Sequence, residues 1–176
     1  NGGGDKTITV GASPTPHAEI LNNIKGTLAD EGYTLNVVEY SDYVTPDQAL
    51  ANGEIDANYY KHVPFLDNYN QENGTDLVPV GSVHFEPMAI YAGTSNDLSN
   101  IPDGAQIAVP SDPTNEARAL QLLADNGVIG IRDGAGLNAT ASDVTTNPHN
   151  VQLVEAEAAA LPRQLQDCNF AVINCN

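Results

Sequence analysis

Positive charge is scarce in this chain. Six lysines and arginines stand against 23 aspartates and glutamates in 176 residues, which gives a formal net charge of −17 at pH 7. Nucleic acids and anionic lipid surfaces are bound through clustered Lys and Arg, so we expect no nucleic-acid partner. Long apolar runs are also missing: none approaches the roughly 20 residues of a membrane-spanning helix, and we expect no segment that crosses a bilayer.

Cysteine is limited to Cys168 and Cys175. The segment between them, NFAVIN, has the apolar pattern of a buried strand. An extended strand rises about 3.3 Å per residue, which places the two cysteines roughly 20 Å apart. A disulfide needs Cα atoms about 5.5–6 Å apart, so we expect no bridge between them. No CxxC motif or Cys/His cluster predicts a zinc site.

Enzyme motifs are absent as well. The chain has no HExxH, GxSxG or GxxxxGK[ST] pattern. The histidines at positions 17, 62, 84 and 149 have no metal-ligand spacing, and the acids are too numerous for one pair to stand out as a catalytic dyad. We therefore expect a binding protein with no catalytic residue, no metal and no cofactor.

Strands and helices alternate along the whole chain. The strongest helix signal is Pro113 to Asp125, with Asp112 as N-cap, Pro113 at the first position and Gly127 at the end. The other predicted helices cover residues 17–30, 46–52, 63–73 and 157–165, and the predicted strands cover residues 6–11, 33–40, 55–60, 77–83, 88–92, 106–109, 151–155 and 170–173. This alternation predicts an α/β fold with parallel-rich sheets flanked by helices. Pro87 interrupts the strand run, so a lobe change is expected near residues 85–87.

The segment VPSDPTNEARAL, from Val109 to Leu120, predicts a strand, a tight turn and a helix start. Ligands of open α/β sheets bind beyond the carboxyl ends of strands, and a helix N-terminus favours anions. Asn115 and Arg118 share one face of this helix, and Arg118 can hold a carboxylate with two hydrogen bonds. The alternative is a surface arginine that pairs with Glu116 or another acid.

Two further segments offer candidate side chains. Tyr59, Tyr60 and His62 lie at the carboxyl end of a predicted strand, where aromatic rings with polar tips suit a small amphipathic ligand. The pattern alone favours the alternative of core tyrosines and a helix-start histidine. His84 and Glu86 are either a salt-linked pair near a hinge or simply surface residues.

Six segments carry a resemblance to a known family, and they follow one another in the family's order. They are VGASPTPHAEIL (Val10 to Leu21), YVTPDQALANGEIDANYYKHVPFLD (Tyr43 to Asp67), VHFEPMAIY (Val83 to Tyr91), IAVPSDPTNEARAL (Ile107 to Leu120), LPRQLQD (Leu161 to Asp167) and AVIN (Ala171 to Asn174). Together they resemble the NlpA/MetQ family of substrate-binding lipoproteins. Tyr59 and Lys61 stand where members of that family vary.

The resemblance implies a two-lobed periplasmic-binding-protein (type II) clamp, with residues 1–85 in lobe 1 and residues 86–176 in lobe 2. It implies that Asn115 and Arg118 hold a ligand carboxylate and that Tyr60 and His62 line a side-chain pocket. Asn174 is implied at the amino-acid end of the ligand, and His84, with Glu86, at the crossing between lobes.

The function implied is capture of L-methionine outside the cytoplasm and its delivery to the permease and ATPase subunits of an ABC importer. The resemblance also implies a cell-membrane location through an N-terminal lipid anchor. The glycine-rich start, Asn1 to Asp5, fits a trimmed leader and tether, although an expression scar looks the same. Family members continue past the AVIN strand and return to lobe 1 with a further ligand asparagine, so we expect a C-terminally shortened member.

Three alternatives remain open from the sequence. The ligand could be a methionine-containing dipeptide or another apolar amino acid. The chain could instead be a small hydrolase on a similar α/β fold, using His62 or His84 with a nearby acid. A third alternative is a surface adhesin or antigen.

Overall fold

The computed structural model describes residues 6–176, so the predicted leader remnant, Asn1 to Asp5, lies outside the described residues. The chain forms two compact units. The first runs as far as Gly81 and includes Asn176, and the second is Ser82–Cys175. The lobe limits taken from the resemblance, residues 1–85 and 86–176, stay a prediction.

The first unit is a three-stranded parallel sheet with helices between its strands. Its elements in chain order are β1 (Thr7–Ala12), α1 (Glu19–Asp30), β2 (Thr34–Glu39), α2 (Thr45–Ala51), β3 (Ala57–Tyr59) and α3 (Val63–Asn73). The strand order is β2-β1-β3, and β1 aligns Thr7 with Thr34 of β2 and Val10 with Ala57 of β3. Parallel neighbours need helical crossovers, and α1 and α2 supply them.

Local sequence sets the ends of these elements. Pro14–Ala18 forms a turn before α1, in which Thr15 has extended backbone angles. Gly74 ends α3 at φ 64°, a left-handed conformation that glycine adopts without a steric penalty. The buried apolar side chains of β1 and β2, with Ile55 and Leu66, form the core of the unit. None of the residues 19–30 of α1 is fully buried.

The second unit is built on a four-stranded sheet. Its elements are β4 (Met88–Ala92), β5 (Gln106–Pro110), α4 (Pro113–Asp125), β6 (Gly130–Ile131), β7 (Val144–Thr146), β8 (Gln152–Ala156), α5 (Leu161–Gln164) and β9 (Phe170–Asn174). The strand order is β4-β9-β5-β8. The β5–β8 and β5–β9 pairs are parallel, and β4–β9 is antiparallel. A second, two-stranded antiparallel sheet joins β6 and β7.

Helix α4 covers one face of the β5 strand. Its Leu120 and Leu123 are fully buried and belong to the same apolar cluster as Ile107, Val109 and Phe170. Full burial of a leucine or phenylalanine side chain contributes about 1.5–3 kcal/mol. This packing therefore fixes the orientation of α4 on the sheet, and with it the side chains of the first helical turn.

The predicted α/β class, with parallel-rich sheets flanked by helices, is confirmed. One predicted strand is wrong, because residues 77–83 form no strand. A strand requires a hydrogen-bonded neighbour, and Val78 and Val80 are instead 73% and 94% exposed. The sequence also did not reveal β6 and β7, which are too short to show a periodic pattern.

Both cysteines are free thiols, Cys168 buried and Cys175 exposed. Strand β9 runs between them and keeps them apart, for the geometric reason given above. Among residues 6–176, no helix combines the length and the apolar character required to span a membrane.

Candidate functional site

The first turn of α4 carries the strongest candidate group in the second unit. Asp112 has extended backbone angles and accepts the Asn115 backbone N–H through Oδ2 at 3.1 Å, as an N-cap does. Asn115 is 5% exposed. Arg118 is half-buried, whereas Arg132 and Arg163 are exposed. The predicted N-cap is therefore confirmed, and it orders the turn that holds Asn115.

The guanidinium of Arg118 is oriented by this turn. Its Nη1 donates to Asn115 Oδ1 at 2.9 Å, and its Nη2 lies 3.5 Å from the Glu86 carbonyl oxygen. A guanidinium has five N–H donors, so these two contacts leave donors for a further acceptor. The group can bind a planar anion such as a carboxylate.

Two acids surround this turn. Burial raises the pKa of the Asp112 carboxyl, and the hydrogen bonds from Asn115 and Thr114 oppose that rise. Burial also raises the pKa of Glu116, and the negative charge of Glu155 adds to the effect. Both shifts favour the neutral, protonated form of these two carboxyls relative to an exposed acid.

His84 and Glu86 form a pair within the second unit. His84 Nε2 lies 2.5 Å from Glu86 Oε1, and both side chains are about a quarter exposed at 27% and 22%. The sequence allowed either a salt-linked pair or two surface residues, and the structure shows the two side chains in contact. Asn174 ends β9, aligns with Met88 of β4, and is 7% exposed.

The first unit carries its candidates at the carboxyl end of β3. Tyr60 is 4% exposed, and its hydroxyl lies 2.6 Å from Asp47 Oδ2 and 2.8 Å from the Tyr43 carbonyl oxygen. Burial, then the charge of Asp47, raises the pKa of Tyr60 far above its ordinary value. Lys61 Nζ binds Asp47 Oδ1 at 2.6 Å.

Aromatic rings pack around Tyr60. Tyr43 stacks on it at 5.8 Å between ring centroids, and Phe65 meets it edge-on at 6.0 Å. His62 is the N-cap residue of α3, although its side chain makes no capping hydrogen bond there. The interpretation of Tyr60 as a core tyrosine is compatible with its burial, and its role toward a ligand stays a prediction.

His17 lies in the turn Pro14–Ala18 that follows β1. The buried Ser13 Oγ is 2.6 Å from His17 Nδ1, and the His17 ring meets the Tyr59 ring edge-on at 4.6 Å. The pair fixes the turn that follows β1 and supports Tyr59 from one side. A serine and a histidine four residues apart carry no signal in the sequence without the fold, so this pair was not predicted.

The predicted site residues fall into two groups. Tyr60 and His62 are neighbours in the first unit. Asn115 and Arg118 are in contact in the second unit, which also holds His84 and Asn174. Sequence reasoning missed Asp47 and the chain-end residue Asn176, whose Nδ2 donates to the Tyr60 carbonyl at 2.8 Å and whose side-chain oxygen accepts from Tyr43. No sequence pattern shows these long-range contacts.

Comparison with known proteins identifies the family of this chain. A family model described as NlpA lipoprotein matches residues 8–176. The membrane lipoprotein TpN32 of Treponema pallidum (strain Nichols) is 45% identical over 172 residues, which are 98% of this chain and 64% of the relative. The D-methionine-binding lipoprotein MetQ of Escherichia coli (strain K12) is 43% identical over 145 residues, 82% of this chain and 54% of the relative.

Solved structures extend the comparison. A nutrient binding protein from Burkholderia cenocepacia, bound to methionine, superimposes on this chain with a TM-score of 0.89 and is 39% identical to it. The match covers 96% of this chain and 72% of the Burkholderia cenocepacia chain. This chain spans less than two thirds of the length of the two curated relatives. Since the family model covers nearly all of the chain and the relatives share well over 30% of their residues with it, the chain belongs to the NlpA lipoprotein family.

Proposed function

We propose that this chain binds methionine outside the cytoplasm and delivers it to an ABC importer. The observation that carries the proposal is the half-buried Arg118, which Asn115 orients at 2.9 Å on the first turns of α4. A carboxylate is the common feature of all amino acids, and a guanidinium binds it with two parallel hydrogen bonds. Related proteins carry methionine in their names or in their structures.

The α-amino and side-chain ends of the ligand require different surroundings. Asn174 can accept or donate a hydrogen bond at the amino-acid end. Tyr60 and His62 offer aromatic surface, and a thioether packs well against aromatic rings. In this proposal His84, held by Glu86, contributes a further polar group to the ligand site.

Transport requires partners that this chain does not contain. We infer a permease and an ATPase as those partners, and an N-terminal lipid anchor as the means of staying at the cell membrane. The relative from Treponema pallidum is called a membrane lipoprotein, which supports the anchor. A binding protein of this kind can signal to a permease only if its ligand has different affinities for two conformations.

Titration calorimetry of the ligand-free chain tests the proposal. Any bound ligand is first removed by partial unfolding and dialysis, and the refolded chain is titrated separately with L-methionine and D-methionine. We expect heat with one-to-one stoichiometry for at least one enantiomer. Absence of heat with both enantiomers, from a chain shown to be folded by circular dichroism, contradicts the proposal.

A competition series separates methionine from the nearest alternative ligands. The chain saturated with methionine is challenged with methionine-containing dipeptides and with leucine, norleucine and valine. We expect norleucine to compete best among the free amino acids, since it has the length of methionine without the sulfur. Stronger displacement by a dipeptide would assign the site to peptides instead.

A further inference from the structure

We propose that Asp47, neutralised by Lys61, is a positioning residue that holds Tyr60 with its hydroxyl turned into the first unit and away from a ligand. The inference deepens the proposed function and rests on it. It also adds to the site two residues that contact no ligand in this proposal. All the contacts that support it lie within the first unit.

Three side chains from one short segment converge on the Asp47 carboxylate. Tyr60 donates to Oδ2 at 2.6 Å, whereas Lys61 at 2.6 Å and Asn58 at 2.7 Å both donate to Oδ1. Lys61 also donates to the Asn58 side-chain oxygen. Asp47 lies in the first turn of α2 and is 0% exposed. One carboxylate therefore connects α2 to β3 and the residues after it.

Charge balance explains why Lys61 belongs to this group. An isolated carboxylate with no exposure is costly to bury unless a counter-charge and hydrogen bonds accompany it. The Lys61 side chain is 10% exposed, and its ammonium lies 4.6 Å from the Tyr60 ring centroid. Burial lowers the pKa of Lys61, and the bond to Asp47 opposes that fall. The pair is neutral as a whole, and the cation also holds one face of the ring.

The Tyr60 hydroxyl is fully engaged inside the unit. Its single proton is shared between the Asp47 carboxylate and the Tyr43 carbonyl oxygen. Tyr43 and Phe65 restrict the ring from two other sides. Tyr60 is 4% exposed, so a ligand beside it meets little of the ring and no free donor, which favours an apolar side chain over a polar one of equal size.

The test is a set of charge-matched variants: Asp47→Asn, Lys61→Gln and the double variant. Each single variant leaves one buried charge without its partner, so the Tyr60 ring should flip faster in NMR spectra of tyrosine-labelled protein. We expect the Kd for methionine to rise about tenfold in each, at a temperature where the chain stays folded. The neutral double variant should recover a Kd within about threefold of wild type.

The control is Asp143→Asn, which breaks the exposed ion pair with Arg132 and should change neither the Tyr60 signal nor the Kd. The inference is overturned if the folded single variants have the Kd and the Tyr60 ring-flip rate of wild type. It is also overturned if the increase in Kd of the double variant equals the product of the increases in the two single variants. If the wild-type chain binds no methionine, the proposed function fails. The Tyr60 flip rates in single and double variants then still decide whether Asp47 positions the ring.

Discussion

Arg118 and Asn115 lie one turn apart on α4, and the arginine donates to the asparagine side-chain oxygen at 2.9 Å. The same Asn115 gives its backbone N–H to the N-cap Asp112. The helix start, the amide and the guanidinium are thus linked in series, and packing of α4 against the sheet holds all three. This preorganisation reduces the conformational entropy that an arginine loses when it binds a carboxylate.

Replacement of Arg118 is the direct test of its proposed role. Arg118→Ala removes the charged hydrogen bonds to the ligand carboxylate, at a cost of about 3 kcal/mol or more, on the order of a hundredfold in Kd. Arg118→Lys keeps the positive charge but lacks the planar guanidinium, so its Kd for methionine should lie between those of wild type and Arg118→Ala. Calorimetric titration with methionine measures both. Arg163→Ala, on the exposed side of α5, makes the same charge change and should bind as wild type.

Loss of the helix N-cap should lower stability. Asp112→Ala removes the acceptor for the Asn115 N–H, and we expect the free energy of unfolding to fall by about 1 kcal/mol. Asp112→Asn keeps a capping oxygen and should retain most of that stability. Urea denaturation provides the measurement. As a contrast, Asp125→Ala at the opposite end of α4 removes a negative charge from the helix C-terminus and should leave stability equal or slightly higher.

Stability should depend on pH through Glu116. Burial, with a contribution from Glu155, raises the pKa of the folded Glu116 carboxyl above its ordinary 4.5. The folded state then holds the proton more tightly than the unfolded state. The stabilising contribution of protonated Glu116 is therefore fully present below pH 4.5, and it is lost as the pH rises through the folded-state pKa.

Glu116→Gln removes this loss, so the stability of the variant relative to wild type should rise as the pH increases above 4.5 through the folded-state pKa of Glu116. Urea denaturation at several pH values across that window checks the sign. Glu157→Gln, at an exposed position, changes the net charge by the same amount. Its free energy of unfolding should depend on pH as that of wild type does. If the free energy of unfolding of Glu116→Gln has the same pH dependence as that of wild type, the pKa of Glu116 is not raised by burial.

Two glycines should respond to alanine in opposite directions. A Cβ on Gly93 would lie 2.2 Å from the Cys168 carbonyl oxygen and 2.9 Å from that of Leu165, so Gly93→Ala forces backbone to move and should cost about 2 kcal/mol or more. Gly26, within α1, has nothing within 4 Å. Gly26→Ala should therefore stabilise by about 0.5–1 kcal/mol. Thermal and urea unfolding of both variants provide the comparison.

Local signals predicted most of the elements. The N-cap, proline and terminal glycine around α4 lie within one contiguous segment, so the sequence indicates that helix with its correct bounds. The predicted strand at residues 77–83 failed for the opposite reason. Its β-branched residues satisfy a local preference, yet a strand exists only when a neighbour pairs with it, and β propensity is strongly dependent on context.

In the candidate site, too, local spacing predicted some features and missed others. Helix periodicity alone places Asn115 and Arg118 on one face, and their contact is confirmed. His84 and Glu86 are two residues apart, a spacing that would place both side chains on the same face of a straight strand. They meet at 2.5 Å although the chain before Met88 is not a strand. Asp47 and Asn176 were missed, since their partners lie 11 to 14 and 116 to 133 residues away along the chain.

The sequence by itself determined the α/β class, the helix α4 with its N-cap, and the placement of Asn115 and Arg118 on one face of that helix. These depend on dihedral preferences and spacings over a few residues, which any chain with this pattern shares. Only the tertiary structure decided that Asp47 is buried against Lys61, Asn58 and Tyr60, and that the Tyr60 hydroxyl points into the unit. Burial and charge pairing between distant segments depend on which surfaces the fold removes from water, and no local pattern specifies that.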